Sequence, residues 1–174
     1  VSTGDQACGC ASLPLLGDCA NDAHDALVIS LIRFVFVGYC TGRVDAWDHG
    51  CEAAIGALGL DAGTTFFGHV LALGRAVRAE RAGNFNFLPA TCPHVSEDEM
   101  ELLAAMQAAR SPDRRRLDQA LFVLARKLDQ ARLTTALTNL ASLLHLLRAE
   151  QGNAPIMGTA AHRNAGTGDR RKLH

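Results

Sequence analysis

The residues best equipped for chemistry are six cysteines, Cys8, Cys10, Cys19, Cys40, Cys51 and Cys92, and the histidines closest to them. Cys8-x-Cys10 with Cys19 and His24 would offer four borderline-soft ligands to a zinc ion, and Cys92 and His94 could join them if their segment folded over the N-terminal arm. Zinc folds, however, usually aim two thiolates from one C-x₂₋₄-C knuckle, and no C-x-x-C occurs here. The expectation is therefore no cofactor, with zinc or another metal as the alternative. Cys92 and His94 are also a redox or ligand candidate: an imidazole and a helix start beside a thiol favour its thiolate. A Cys-Pro dipeptide could equally present a thiolate to haem iron. The simpler role is that Pro89 and Pro93 hold an extended approach while Cys92 packs. Cys40 and Cys51 lie in or beside apolar helices, where Cys behaves as a small hydrophobe.

Other constellations are weaker. Asp45/His49 and Asp48/Glu52 are i, i+4 pairs that can touch on one helix face. A di-iron bundle needs Glu-x-x-His on two helices, and that motif is missing. His69 and His145 read as bundle or surface histidines. An apolar pocket near Trp47, His69 and His94 would be the place to seek a helical-bundle enzyme. Arg114, Arg115, Arg116, Arg126, Lys127 and Arg132 form the basic concentration. With Asp113, Asp118 and Asp129 interleaved and Phe122 as the sole aromatic residue, they read as a solvated face and not a nucleic-acid interface. Phosphate-loop, dinucleotide and nucleophile-elbow motifs do not occur.

A chain of 174 residues with 48% hydrophobic and 20% charged residues is expected to form one domain with a real core. Its formal charge of −1 draws it to neither nucleic acid nor an anionic membrane. Fifteen Arg against two Lys, with abundant Ala and Leu, suggest a GC-rich, bacterial coding genome. No secretory signal is visible, so the expected compartment is cytoplasmic, with reduced thiols. The most apolar run, Ala26 to Cys40, carries Arg33 near its centre and falls short of the ~20 residues of a bilayer span. It reads as a buried helix.

The elements that must position these residues are helical. Residues 1–20 read as an irregular Cys-containing arm. Asn21 or Asp22 caps a helix over Ala23 to Val37 that is apolar nearly all round, hence central. Gly38 to Gly42 punctuates, and Asp45 caps a second helix whose Trp47, Cys51, Ala54, Ile55 and Leu58 share one face. A third starts at Asp61 or Thr64, buries Phe67, Val70, Leu71, Gly74 and Val77, and stops at Gly83. Its Gly68 and Gly74 call for close packing against a neighbour. Arg75, Arg78 and Arg81 suit the negative end of its dipole.

Asn84 to Glu99 then resists any helical reading and ends in a capping box, Ser96-x-x-Glu99, with Val95 and Met100 as staple. The helix it launches runs to about Arg110. Ser111-Pro112-Asp113 starts another, with Pro112 at the first helical position. Leu117, Leu121, Leu124 and Leu128 form its stripe, and Leu133, Leu137, Leu140, Leu144 and Leu147 form the next. The five-residue step between Leu128 and Leu133 rotates the seam, which favours a turn near Lys127–Arg132 over one bent helix. From Gly152 the pattern stops in a flexible tail.

The expected fold is all-α: a single antiparallel helical bundle of about six helices, residues 1–151, followed by the tail, 152–174. Full core stripes without a convergent catalytic constellation point to a non-enzymatic helical interaction or regulatory protein. Its partner is another protein or a second copy joined through the Leu133–Leu147 seam. A metal- or redox-responsive protein and a bundle enzyme are the alternatives.

Overall fold

The structure, a computed structural model, describes residues 12–152. It is an all-α bundle of six long helices preceded by one short turn. The elements are α1 (Leu16–Cys19), α2 (Ala23–Thr41), α3 (Asp45–Leu58), α4 (Leu60–Glu80), α5 (Glu97–Ala109), α6 (Arg114–Ala125) and α7 (Ala131–Gly152). Of the expected arm, Leu16–Cys19 form one helical turn and residues 1–11 lie outside the described residues. Cys8, Cys10 and residues 153–174 of the expected tail lie outside the described residues.

Helix α2 is the hub, packed against α3, α4 and α5. Asp22 caps it by accepting from the His24 and Asp25 amides at 2.9 and 3.0 Å. Val28, Ile29, Leu31, Ile32 and Val35 have no exposed surface, the all-round burial its composition demands. The helix does not stop at Val37. It continues through Gly38 to Thr41 and ends at the left-handed Gly42; a Cβ on Gly38 would lie 2.1 Å from Trp47 Nε1, so the missing side chain is what admits α3's indole. The full helix is 19 residues long with mean hydropathy 1.5, enough in length and composition to cross a membrane. Here it lies among helices α3, α4 and α5 instead.

Several helix starts differ from their local signals. Helix α3 begins after Val44, which offers no side-chain cap, and Asp45 instead pairs with Arg43 on the exposed surface. Helix α4 begins at Leu60, ahead of Asp61 and Thr64, because Gly59 at φ 85° turns the chain within one residue. Its Gly74 is pressed by Val35, with 2.6 Å to the added Cβ, whereas Gly68 faces open space and has no such reason. Helix α6 begins after Asp113, which accepts from the Arg115 and Arg116 amides at 3.0 and 3.3 Å; Pro112 therefore precedes the cap and is not the first helical residue.

The long C-terminal pattern is two helices. Arg126 ends α6 in the left-handed region at φ 58°, and α7 starts at Ala131, so the turn comes slightly earlier than the leucine spacing suggests. Leu128 lies in this turn and is 88% exposed, so it does not belong to the α6 stripe. Leu133, Leu137, Leu140, Leu144 and Leu147 are all buried against the chain's own core. That seam is spent within one molecule, and self-association would have to use another surface. Glu80, from the end of α4, accepts from the Arg132 and Leu133 amides at 2.9 and 2.8 Å and so caps the start of α7 from another helix.

Candidate functional site

Between α4 and α5 the connector, residues 81–96, is held by side chains and not by a sheet. Arg33, from the middle of α2, uses all five of its N–H groups on the connector and the first turn of α5. Nε and one Nη donate to the two Glu99 oxygens at 2.7 and 3.0 Å. The remaining donors reach the carbonyls of Pro89 at 3.2 Å, Cys92 at 2.6 Å and His94 at 2.5 Å. Glu99 is equally engaged: it accepts from the Ser96 amide at 2.9 Å and the Leu88 amide at 3.3 Å. The Ser96 hydroxyl accepts from the Glu99 amide at 3.2 Å, completing the capping box, and donates to the Asn86 carbonyl at 2.7 Å.

A second clamp lies alongside. Arg81 donates to Asp98 at 2.5 Å, Glu101 at 2.8 Å, the Leu124 carbonyl at 2.5 Å and the Asn84 carbonyl at 3.1 Å. Asp98 also accepts from the Asn86 amide at 2.6 Å and from Arg126 at 3.0 Å. Arg81 is therefore a structural tie between the end of α4, the start of α5 and the end of α6, not a dipole complement. Both Asp98 and Glu99 sit in the first turn of α5, where a negative charge is favourable. A third group joins α2 to α5 and α7. Arg110 grips Asp25 at 2.6 and 2.7 Å, and Arg148 pairs with Asp22. Burial raises the Asp22 carboxyl, but the Asp25 amide and the Arg148 guanidinium outweigh it and hold the group below its ordinary value.

The cysteine and histidine candidates divide. Cys92 is buried and its Sγ lies 3.8 Å from His94 Nδ1. The arm meets them. Leu16 N–H donates to the Pro93 carbonyl at 2.7 Å and Val95 N–H to the Pro14 carbonyl at 2.9 Å, forming an antiparallel bridge at Leu15 and His94. Cys19 is half-buried at the end of α1, and His24 is buried in the first turn of α2. Among the described residues no three His, Cys, Asp or Glu side chains are grouped to hold a metal ion. Cys8 and Cys10, two of the four expected zinc ligands, lie outside the described residues.

Trp47 donates to the Val35 carbonyl at 3.1 Å and serves the α2–α3 contact. Five clefts among the described residues are lined by none of Trp47, His69 and His94. Asp48, His49 and Glu52 are exposed on α3. In the basic concentration, Arg114 pairs with Asp118 along α6, Arg126 with Asp98, and Lys127 reaches the Ala79 carbonyl.

The residues that local reading passed over are Arg33, Arg81, Asp25 and Glu80. Arg33 carried a signal: a guanidinium in the middle of an apolar helix must be desolvated, and that is tolerable only opposite a carboxylate. The exposed surface adds another feature, the outer face of α6. There Phe122 and Val123 are 52% and 46% exposed beside the exposed Arg115, Arg116 and Gln119. Compared with protein-family models, curated proteins and solved structures, the chain has no significant match, so no relative assigns a role to these residues.

Proposed function

We propose that this is a non-enzymatic helical interaction or regulatory protein of the bacterial cytoplasm, and that it meets an acidic protein partner through the outer face of α6. The observation that carries this reading is the exposure of Phe122 and Val123 on a helix whose Leu117, Leu121 and Leu124 are buried. Two adjacent apolar side chains with Arg115 and Arg116 two turns away on the same helix faces are an anchor with a basic end, an arrangement that suits an apolar pocket edged by carboxylates. The buried charged side chains support it from the other direction. Arg33, Glu99, Arg81, Asp98, Asp25 and Glu80 are consumed in ties between helices.

The test is affinity purification of the full chain from its own cells, beside a Phe122→Ser/Val123→Ser variant of equal thermal stability. A stoichiometric acidic partner lost with the variant supports the reading. A monomer that retains no stoichiometric partner, or a partner retained equally by the variant, overturns it.

A metal- or redox-responsive role is the second reading, favoured by the docking of the arm on the Pro93–Val95 segment beside Cys92 and His94. Elemental analysis and thiol titration of the anaerobically purified full chain address it. Substoichiometric metal with a thiol indifferent to oxidant would remove it.

A further inference from the structure

The cleft between the C-terminal halves of α2 and α4 and the start of the connector is a separate feature from the α6 face. It has a volume of about 530 Å³, the scale of a small-molecule site. One wall is aromatic: the Phe85 and Phe87 rings both stack on Phe36, with centroids 4.7 and 5.5 Å away. Rings two residues apart meeting one partner place both on the same side of an extended chain. The amides of Asn86 and Leu88 are taken by Asp98 and Glu99, whereas those of Phe85 and Phe87 have no hydrogen bond among the described residues.

Charge lies against this wall, with the Arg81 guanidinium 5.4 Å over the Phe85 ring. Arg81 is neutralised by Asp98 and Glu101, but the exposed Arg78 has no ion pair among the described residues. Its guanidinium lies 4.8 Å over the Tyr39 ring. The Tyr39 hydroxyl is shielded from solvent and has no hydrogen-bond partner among the described residues. Cys40 stands exposed among the residues lining the cleft.

We infer that this cleft binds a small planar aromatic monocarboxylate, its ring against Phe85 and Phe87 and its carboxylate on Arg78. The stacked wall selects a flat apolar body. One guanidinium without an ion pair among the described residues balances one negative charge, and its fork matches a carboxylate. A polyphosphate would need more positive charge than the cleft offers.

The experiment uses benzoate as the probe, with benzamide as its uncharged isostere and acetate as the ringless anion. Trp47 is the only tryptophan, and its ring lies 5.3 Å from that of Tyr39, so its single indole N–H resonance reports on the cleft. Titration of the full chain should move that signal and the Phe85 and Phe87 amides saturably, with a Kd of about 1 mM for so small a ligand. Benzamide and acetate should bind at least about tenfold more weakly, and Arg78→Gln should weaken benzoate, but not benzamide, by about tenfold. Arg78 is exposed, so the variant should fold. Benzoate should also slow maleimide labelling of Cys40, with Cys40→Ser identifying that site. No saturable shift with benzoate at tens of millimolar, equal binding by Arg78→Gln, or an unchanged Cys40 labelling rate each overturns the assignment. The partner test on α6 reads a different surface, so either idea can fail alone.

Discussion

The Arg33 guanidinium and the Glu99 carboxylate meet through two parallel hydrogen bonds, 2.7 and 3.0 Å long, with neither side chain exposed. The pair joins the hub helix to the first turn of α5 across 66 positions of sequence. It also gathers three connector carbonyls onto one side chain. Two buried charges are costly to desolvate, and the full set of hydrogen bonds is what makes the pair tolerable.

Removing both partners should cost less than the sum of removing each. Arg33→Met or Glu99→Leu alone is expected to cost about 3–5 kcal/mol, because each leaves an uncompensated buried charge. Urea unfolding of the four proteins gives the coupling, and strict additivity would mean that the pair does not act as a unit.

The leucine seam should behave as core. Leu137→Ala or Leu140→Ala is expected to lower stability by about 2–5 kcal/mol, while Leu128→Ala changes it by less than about 0.5 kcal/mol. Sedimentation of the same variants should show no loss of an oligomer attributable to the seam. An oligomer in the parent that dissociates on Leu137→Ala without loss of monomer stability would contradict this placement.

Glu80 should control the start of α7. Glu80→Ala removes the acceptor for the Arg132 and Leu133 amides and is expected to cost about 1–2 kcal/mol, as lost helix caps do. Hydrogen exchange offers a local readout: protection should fall in the first turns of α7 and stay unchanged in α5. Uniform loss across the bundle would point to a different role.

The Asp22 carboxyl gives a pH test with a defined sign. Its folded-state value lies below the ordinary 3.8, so Asp22 contributes stability that is present above about pH 4 and lost as the pH falls through the folded value. The stability gap between the parent and Asp22→Asn should therefore narrow on acidification below about pH 4. A gap that is constant or grows there would refute the assignment. Arg148→Gln should reduce the gap in the same window by removing the guanidinium.

Sequence alone determined what acts over one or two helical turns. Asp22 as a cap, the Ser96–Glu99 box, the burial of α2 and the Leu133–Leu147 stripe all follow from hydrogen bonds or periodicities spanning a few residues. Even the break between α6 and α7 was legible in the phase of the leucines. Tertiary structure decided where each charge found its counterpart. Arg33 with Glu99, Arg81 with Asp98, Arg110 with Asp25 and Glu80 with the start of α7 span 66, 17, 85 and 52 or 53 positions. Side-chain type announces that a buried charge needs a partner, but only the packing of helices brings one particular carboxylate within reach. The same reason governs Cys92 and His94. Their neighbourhood depends on the arm at Pro14–Leu16 crossing Pro93–Val95, a meeting made by backbone groups that every residue type shares.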